Sequence, residues 1–346
     1  MSLARKHCMM VKAWGRRITR SRPYASALLE YAASREDTVC LSGDLTTSCE
    51  VDLFRDAFPS RFVNVGMAEQ NMMGIAGGIA RGGLTPFVHT FGVFATRRPF
   101  DQVSMAIGVP GLRVRIMGFL PGVTTPGGVT HQAIDDVALM RSIPGMTVVD
   151  LGDATEIQTI LPQLDAVDGP VYCRLMRGDV PVLFYSPIVL GRVRALRAGS
   201  DLLLISSSIM TEEAMRAADA LERLGVSVAH LHASTLKPFD AESVAAVAGR
   251  CSAVVTLENH LVSGGLGTAV AEAIAEAGIA CPLRRLGLVD TYAAGGSFPY
   301  LLKRFEMGAD AVVRTAIGLL DLAVESIDRL ATGDLGEGDR GRQEAL

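Results

Sequence analysis

No apolar run in this chain reaches the roughly 18 residues that a membrane-spanning helix needs, so no membrane span is expected. Aromatic residues are scarce, at 5% of the 346 positions, with a single tryptophan. The core must therefore be packed mainly by Ala, Val, Leu, Ile and Met. Six cysteines, at 8, 40, 49, 173, 251 and 281, include no CxxC pair, and no histidine cluster has metal-ligand spacing. That pattern argues against a disulfide framework and against a protein-ligated metal, and it points to a reducing, cytoplasmic compartment. Cys40 and Cys173 fall in apparent strands and read as small buried hydrophobes. A long basic stripe is also missing and the formal charge is −4, so neither nucleic acid nor a membrane is the expected partner.

What is present is an α/β composition: 49% hydrophobic residues, 20% charged residues and 36 glycines, on a length that suits two domains. Residues 1–22 carry Arg5, Lys6, Lys12, Arg16, Arg17, Arg20 and Arg22 with no acid. They lack the apolar core and small-residue cleavage site of a secretory signal and read as a loose basic arm. A first α/β block spans 23–190, with strands at Thr38–Ser42, Phe62–Val65, Thr85–His89, Leu112–Met117, Thr147–Asp150 and Pro170–Arg174 separated by Ala-rich or periodic helical stretches. A second block spans 191–325, with strands at Asp201–Ser206, Val226–Leu231, Ala253–Leu257 and Leu283–Gly287. Within it Thr211 is a plausible N-cap for the stripe Ala214, Ala217, Ala218, Leu221 and Leu224, which stops at Gly225. Residues 326–346 are Gly-rich and charged, the composition of a disordered tail. The expected fold is two consecutive parallel-sheet α/β domains. GGLG at Gly264–Gly267 lacks the spacing of a dinucleotide loop and reads as a glycine-permitted helix start.

The chemistry concentrates in RFVNVGMAEQNMMGIAGGIARGGLTPFVHTFGVFATRRPFD, Arg61 to Asp101. A short strand runs into a helix with a lone carboxylate, Glu69, in its first turn. An acid there can simply satisfy helix-end N–H groups. This one, however, lies between an apolar strand and an almost uncharged helix, where charge is costly. After the next strand come Phe91 and Phe94, three residues apart, able to flank a flat ring through offset stacking worth about 0.5–1.5 kcal/mol. Carboxyl and aromatic pair together suit the aminopyrimidine of thiamine diphosphate. A carboxyl group on that ring favours the tautomer that takes the proton from the thiazolium carbon, while the cofactor supplies the electron sink.

The same stretches resemble the transketolase family. SGDLTTS (Ser42–Ser48), RFVNVGMAEQNMMGIAGGIA (Arg61–Ala80), HTFGVFATRRPFDQV (His89–Val103), THQAIDDVALMRSIPGM (Thr130–Met146) and LENHLVSGGLGTAVAEA (Leu257–Ala273) follow the order of its pyrimidine-binding domain and C-terminal domain, covering nearly the whole chain. The resemblance implies that Glu69 activates the cofactor. It also implies Met67 under the bent cofactor, Phe91 and Phe94 at the pyrimidine ring, and Asp44 facing the cofactor from the loop after a strand. His131 would contact substrate oxygens and assist proton transfer. Arg177 would grip a sugar phosphate with its planar fork, with Arg174 the alternative. Asp44 as a turn cap, His131 as a capping or core histidine and Arg177 as a surface residue are the plainer readings.

The chain also departs from the family pattern. Phe119 and Gly127 stand where single-chain transketolases commonly carry a histidine and an aspartate that read sugar hydroxyls. Arg97 stands where an aromatic often follows the two phenylalanines, and His89 replaces a small residue; both are candidate substrate contacts. No GDG motif for the diphosphate and Mg²⁺ occurs in the chain, nor are hard oxygen ligands arranged for that ion. The expectation is an N-terminal transketolase subunit carrying GDG, a site formed between two polypeptides, and homodimerisation within an α2β2 assembly acting on sugar phosphates. The leading reading is therefore the C-terminal subunit of a split transketolase that transfers a two-carbon ketol unit. The alternatives are a β subunit of a 2-oxo acid dehydrogenase, a deoxyxylulose-phosphate-synthase-like condensation, and a catalytically silent structural partner.

Overall fold

The protein is described by a computed structural model covering residues 18–322. The basic residues 1–17 and the tail 323–346 lie outside the described residues. Fourteen strands are formed among those described: β1 Thr19–Ser21, β2 Thr38–Ser42, β3 Phe62–Asn64, β4 Thr85–Phe91, β5 Arg115–Phe119, β6 Thr147–Asp150, β7 Val171–Leu175, β8 Asp179–Pro181, β9 Arg194–Arg197, β10 Leu202–Ser206, β11 Val228–His232, β12 Thr235–Lys237, β13 Ala253–Leu261 and β14 Leu283–Leu288.

A seven-stranded sheet runs β12-β6-β7-β5-β4-β2-β3, parallel except for β12. A five-stranded sheet runs β14-β13-β10-β11-β9, parallel except for β9. The central strands are buried along their whole length, which is why they read as continuous apolar runs rather than alternating ones. Helices cover both sheets, as parallel connections demand.

The two expected parallel-sheet domains are present, with adjustments. The strand expected at Leu112–Met117 begins at Arg115. Arg115 is 1% exposed because its guanidinium donates to the carbonyls of Leu164, Val167 and Gly169, so a charged residue opens a core strand. Thr211 is not the N-cap of its helix, which spans Met210–Arg223; its hydroxyl is 3.0 Å from Ser206 Oγ and 2.7 Å from His232 Nδ1. GGLG does open a helix, Leu266–Glu276, whose first amides donate to the Glu258 carboxylate at 2.7 and 2.9 Å.

The end of the basic arm is not loose. β1 pairs antiparallel with β8, and Arg22 reaches Asp52. β12, from the second block, completes the edge of the first sheet against β6, so that sheet draws on residues beyond 190.

A buried polar network joins the blocks. Arg174, 1% exposed, bonds Asp136 at 2.8 Å, Asp150 at 3.1 Å and the Asn259 carbonyl at 3.1 Å. Ser207 donates to Asp150, and Glu156 meets His232 at 3.1 Å and Ser234 at 2.7 Å. Burial alone would raise the Glu156 carboxyl, but His232 and the Gly152 amide bring it down to about 2.

Candidate active site

The site is assembled at the C-terminal ends of β2, β3, β4 and β5, where parallel strands place their following loops together. The segment after β3 carries Met67, which is 80% exposed. Glu69 follows as the first residue of the helix Glu69–Arg81, 2% exposed. Its carboxylate takes a hydrogen bond from Arg98 Nη1 at 2.8 Å. Sequence reasoning did not single out Arg98. The available signal was the need of a buried acid for a counter-charge, with the Arg97-Arg98 pair as the nearest cations after Phe94.

Asp44 is exposed, with a left-handed backbone (φ 65°). Its carboxylate accepts from Asn64 Nδ2 at 3.1 Å, and its amide donates to Asn64 Oδ1 at 3.2 Å. Asn64, also absent from the sequence reading, therefore ties the loop after β2 to the end of β3.

Phe91 ends β4 and Phe94 lies on the short helix Gly92–Thr96. Their rings stack on each other with centroids 5.9 Å apart and planes 26° apart. They make one aromatic wall, not the two sides of a slot. Phe91 is 4% exposed and backs the partly exposed Phe94. His131 meets this wall edge-on, 5.4 Å from Phe94 and 6.3 Å from Phe91, and its Nδ1 lies 2.8 Å from the Thr130 hydroxyl. A Cβ at Gly127 would come within 3.0 Å of the His131 ring, so the glycine makes room for the imidazole. Arg177 holds its Cζ 5.8 Å from the Phe91 ring centre and Arg98 its Cζ 4.9 Å from that of Phe94. Glu69, through Arg98, is thus linked to Phe94, Phe91, His131 and Arg177, while Met67 lies exposed two residues before Glu69.

The remaining candidates are placed otherwise. His89 is fully buried, 2.7 Å from the Tyr24 hydroxyl and 3.1 Å from the Leu41 carbonyl. Burial pushes its pKa down to about 4. A neutral interior imidazole with both nitrogens engaged is not a substrate contact, and that expectation is corrected. Arg97 donates to both oxygens of Asp135 at 2.9 Å, and its Cζ stands 6.0 Å from the Tyr292 ring centre. This pairing with Asp135 places it at the junction of the blocks. Arg174, the alternative phosphate ligand, is locked in the buried network. Phe119 packs in the core against Tyr24, 5.5 Å centroid to centroid.

Arg98 meets both Glu69, at 2.8 Å, and Phe94, with its Cζ 4.9 Å from the ring centre, so one group carrying an N–H donor and a flat face can engage both residues, as an aminopyrimidine would. Among the described residues, no group of three or more His, Cys, Asp or Glu is placed to hold a metal ion, and no helix is long and apolar enough to cross a membrane.

Comparison with known proteins gives the family. The sequence matches the transketolase pyrimidine-binding domain over residues 17–182 and the transketolase C-terminal domain over 191–312. A 6-deoxy-6-sulfo-D-fructose transketolase subunit of Clostridium sp. (strain MSTE9) is 40% identical, over 85% of this chain and 92% of its own length. A putative transketolase C-terminal section of Methanocaldococcus jannaschii is 33% identical, over 84% of this chain and 93% of its own. Among solved structures, a split-gene transketolase in an inactive β4 tetramer superposes with a TM-score of 0.79 at 38% identity, covering 87% of this chain and 97% of that one. The chain belongs to the transketolase family, with the domain content of the C-terminal subunit of a split transketolase.

Proposed function

We propose that this chain supplies the pyrimidine side of a thiamine diphosphate site and, with a GDG-bearing subunit that holds the diphosphate and Mg²⁺, transfers a two-carbon ketol unit between anionic sugars. The observation that carries this reading is the 2%-exposed Glu69 carboxylate beside the Phe91–Phe94 wall, a buried acid that packing alone gives no reason to keep.

When bound, thiamine diphosphate supplies the nucleophilic carbon and electron sink for breaking a carbon–carbon bond beside a carbonyl. The chain's own groups do the rest. Glu69 holds a proton at a pyrimidine nitrogen. Phe94, backed by Phe91, would support the ring, and Met67 and the Asn64-tied Asp44 would help hold the cofactor. His131 moves a proton at the substrate oxygen, and the aromatic wall excludes water around that transfer. Arg177 grips the anionic end of the sugar, a phosphate or the sulfonate named for the Clostridium relative; a guanidinium fork suits either.

The α2β2 assembly belongs to this reading, and exposed surface beside the site is available for a partner. The helix Glu69–Arg81 shows solvent its Gln70, Asn71, Gly74 and Gly78 face, and Met105 and Val109 nearby are 60% and 74% exposed. Apolar surface of this kind is expected to be covered by another subunit. Calorimetric titration of thiamine diphosphate and Mg²⁺ into this chain alone, and into its mixture with the GDG-bearing subunit, tests the proposal. Binding is expected only in the mixture; tight binding by this chain alone, or none in either, overturns it.

A further inference from the structure

Arg98 lies against two of the residues assigned above to the cofactor ring, Glu69 and Phe94. Its side chain is 51% exposed, whereas the Glu69 side chain it bonds is 2% exposed, so the cation enters the carboxylate from the solvent side. It lies between the helix Gly92–Thr96 and the short turn of helix Phe100–Gln102, just ahead of Pro99. From there the guanidinium does two things together: it donates through Nη1 to Glu69 Oε2 at 2.8 Å and it lies over the Phe94 ring at 4.9 Å. An aminopyrimidine would be recognised by the same two features, an in-plane N–H donor for the acid and a flat face for the aromatic ring.

Building on the cofactor reading above, we propose that Arg98 is a built-in occupant of the aminopyrimidine seat, which it fills in the cofactor-free chain and leaves when the cofactor enters. The arrangement solves a problem specific to a half-site. A subunit made apart from its partner must carry a buried carboxylate and an aromatic wall with nothing against them, and an unpaired buried acid is costly. Arg98 balances the acid and covers the ring until the partner arrives. It also sets the order of events. A competitor within the chain lowers apparent affinity by the fraction of molecules in which the seat is open. The assembled enzyme, with diphosphate and Mg²⁺ contacts added, displaces the arginine more readily than the chain alone. Because the guanidinium is half exposed, it returns to water at little cost, so the competition is soft and does not amount to a block.

The test uses the assembled enzyme, this chain with its GDG-bearing partner, titrated calorimetrically with thiamine diphosphate and Mg²⁺, and followed by stopped-flow for the rate of cofactor entry. Arg98→Gln is expected to tighten binding by about 3- to 30-fold and to speed entry. Arg98→Lys keeps the charge but loses the planar fork, and its affinity should fall between Arg98→Gln and the unsubstituted enzyme. Unchanged or weaker binding by Arg98→Gln overturns the proposal while leaving the cofactor reading intact, because the unsubstituted enzyme still binds. No binding by the unsubstituted enzyme overturns both.

Discussion

Glu69 and Arg174 are both charged, both buried and both paired, yet they invite opposite experiments. Glu69 has one partner, and that partner is half exposed. Converting it to glutamine removes the ionisable group while keeping shape, so Glu69→Gln is expected to fold normally and to lose about 10²- to 10⁴-fold in turnover of the assembled enzyme, the range for a general acid–base group. Normal turnover in a steady-state assay would remove Glu69 from its role. Arg174 bonds two carboxylates and two carbonyls with almost no exposure. Arg174→Met leaves Asp136 and Asp150 buried without their counter-charge. It is expected to lower unfolding stability by about 3–5 kcal/mol, measured by urea denaturation. Sequence could mark both residues as interesting. It could not say that one arginine in the run Arg174-Leu-Met-Arg177 turns into the core and the other towards the wall.

The helix Glu69–Arg81 carries Glu69 at its start and an exposed glycine-bearing face along its length. On its inner side, a Cβ at Gly77 would come within 2.7 Å of the Ala106 carbonyl oxygen. Gly77→Val should therefore push this helix off the π-helical turn Val103–Gly108 and cost about 1–3 kcal/mol. On its outer side, a Cβ at Gly74 meets nothing within 4 Å, and Gly74→Ala should stabilise the isolated chain by about 0.5–1 kcal/mol through helix propensity. If a second subunit covers that face closely, the same substitution weakens the assembly. Denaturation of the isolated chain and sedimentation of the assembly separate the two effects, and an assembly indifferent to Gly74→Ala would argue against contact there. The helix itself was legible in the sequence, with its carboxylate in the first turn. Which glycine faces inward follows only from what packs against it.

At the scale of the whole molecule, three buried histidines set the response to acid. Burial holds His89 at about 4, His230 at about 3 and His260 at about 4, below the ordinary 6.5. The unfolded chain takes up protons below about 6.5 while the folded chain resists until near 4. The stability they contribute is thus complete above 6.5 and is lost as the pH falls towards 4, by up to roughly 2 kcal/mol per histidine at pH 5. Glu258 acts in the other direction. Burial raises it to about 7 despite the Gly267 and Leu266 amides, so it favours the fold most below 4.5 and that contribution is lost as the pH rises through 7. Burial raises Glu50 and Asp153 as well, which act with Glu258 and reduce the loss; the three histidines, each shifted across the window from 6.5 to 5, are expected to leave a net loss on acidification. Denaturation at pH 7.5 and pH 5 should show it, and a flat profile would contradict the placement of these rings.

The sequence by itself determined the local elements and the chemistry they carry. Apolar runs bounded by turns located the principal strands, and a carboxylate at a helix start near two phenylalanines marked the candidate site. The order of motifs pointed to the transketolase family, which the comparisons then showed. Tertiary structure decided how distant residues meet: β12 adds to the first sheet from beyond residue 190, His89 turns into the core against Tyr24, and Arg97 pairs with Asp135. It also placed Arg98, 29 positions from Glu69, against that acid. Periodicity reports which side of an element is apolar, because neighbours along the chain share one geometry. Partners across 29 or 76 positions are set by the packing of sheets and loops on each other, and a single sequence does not carry that information in local form.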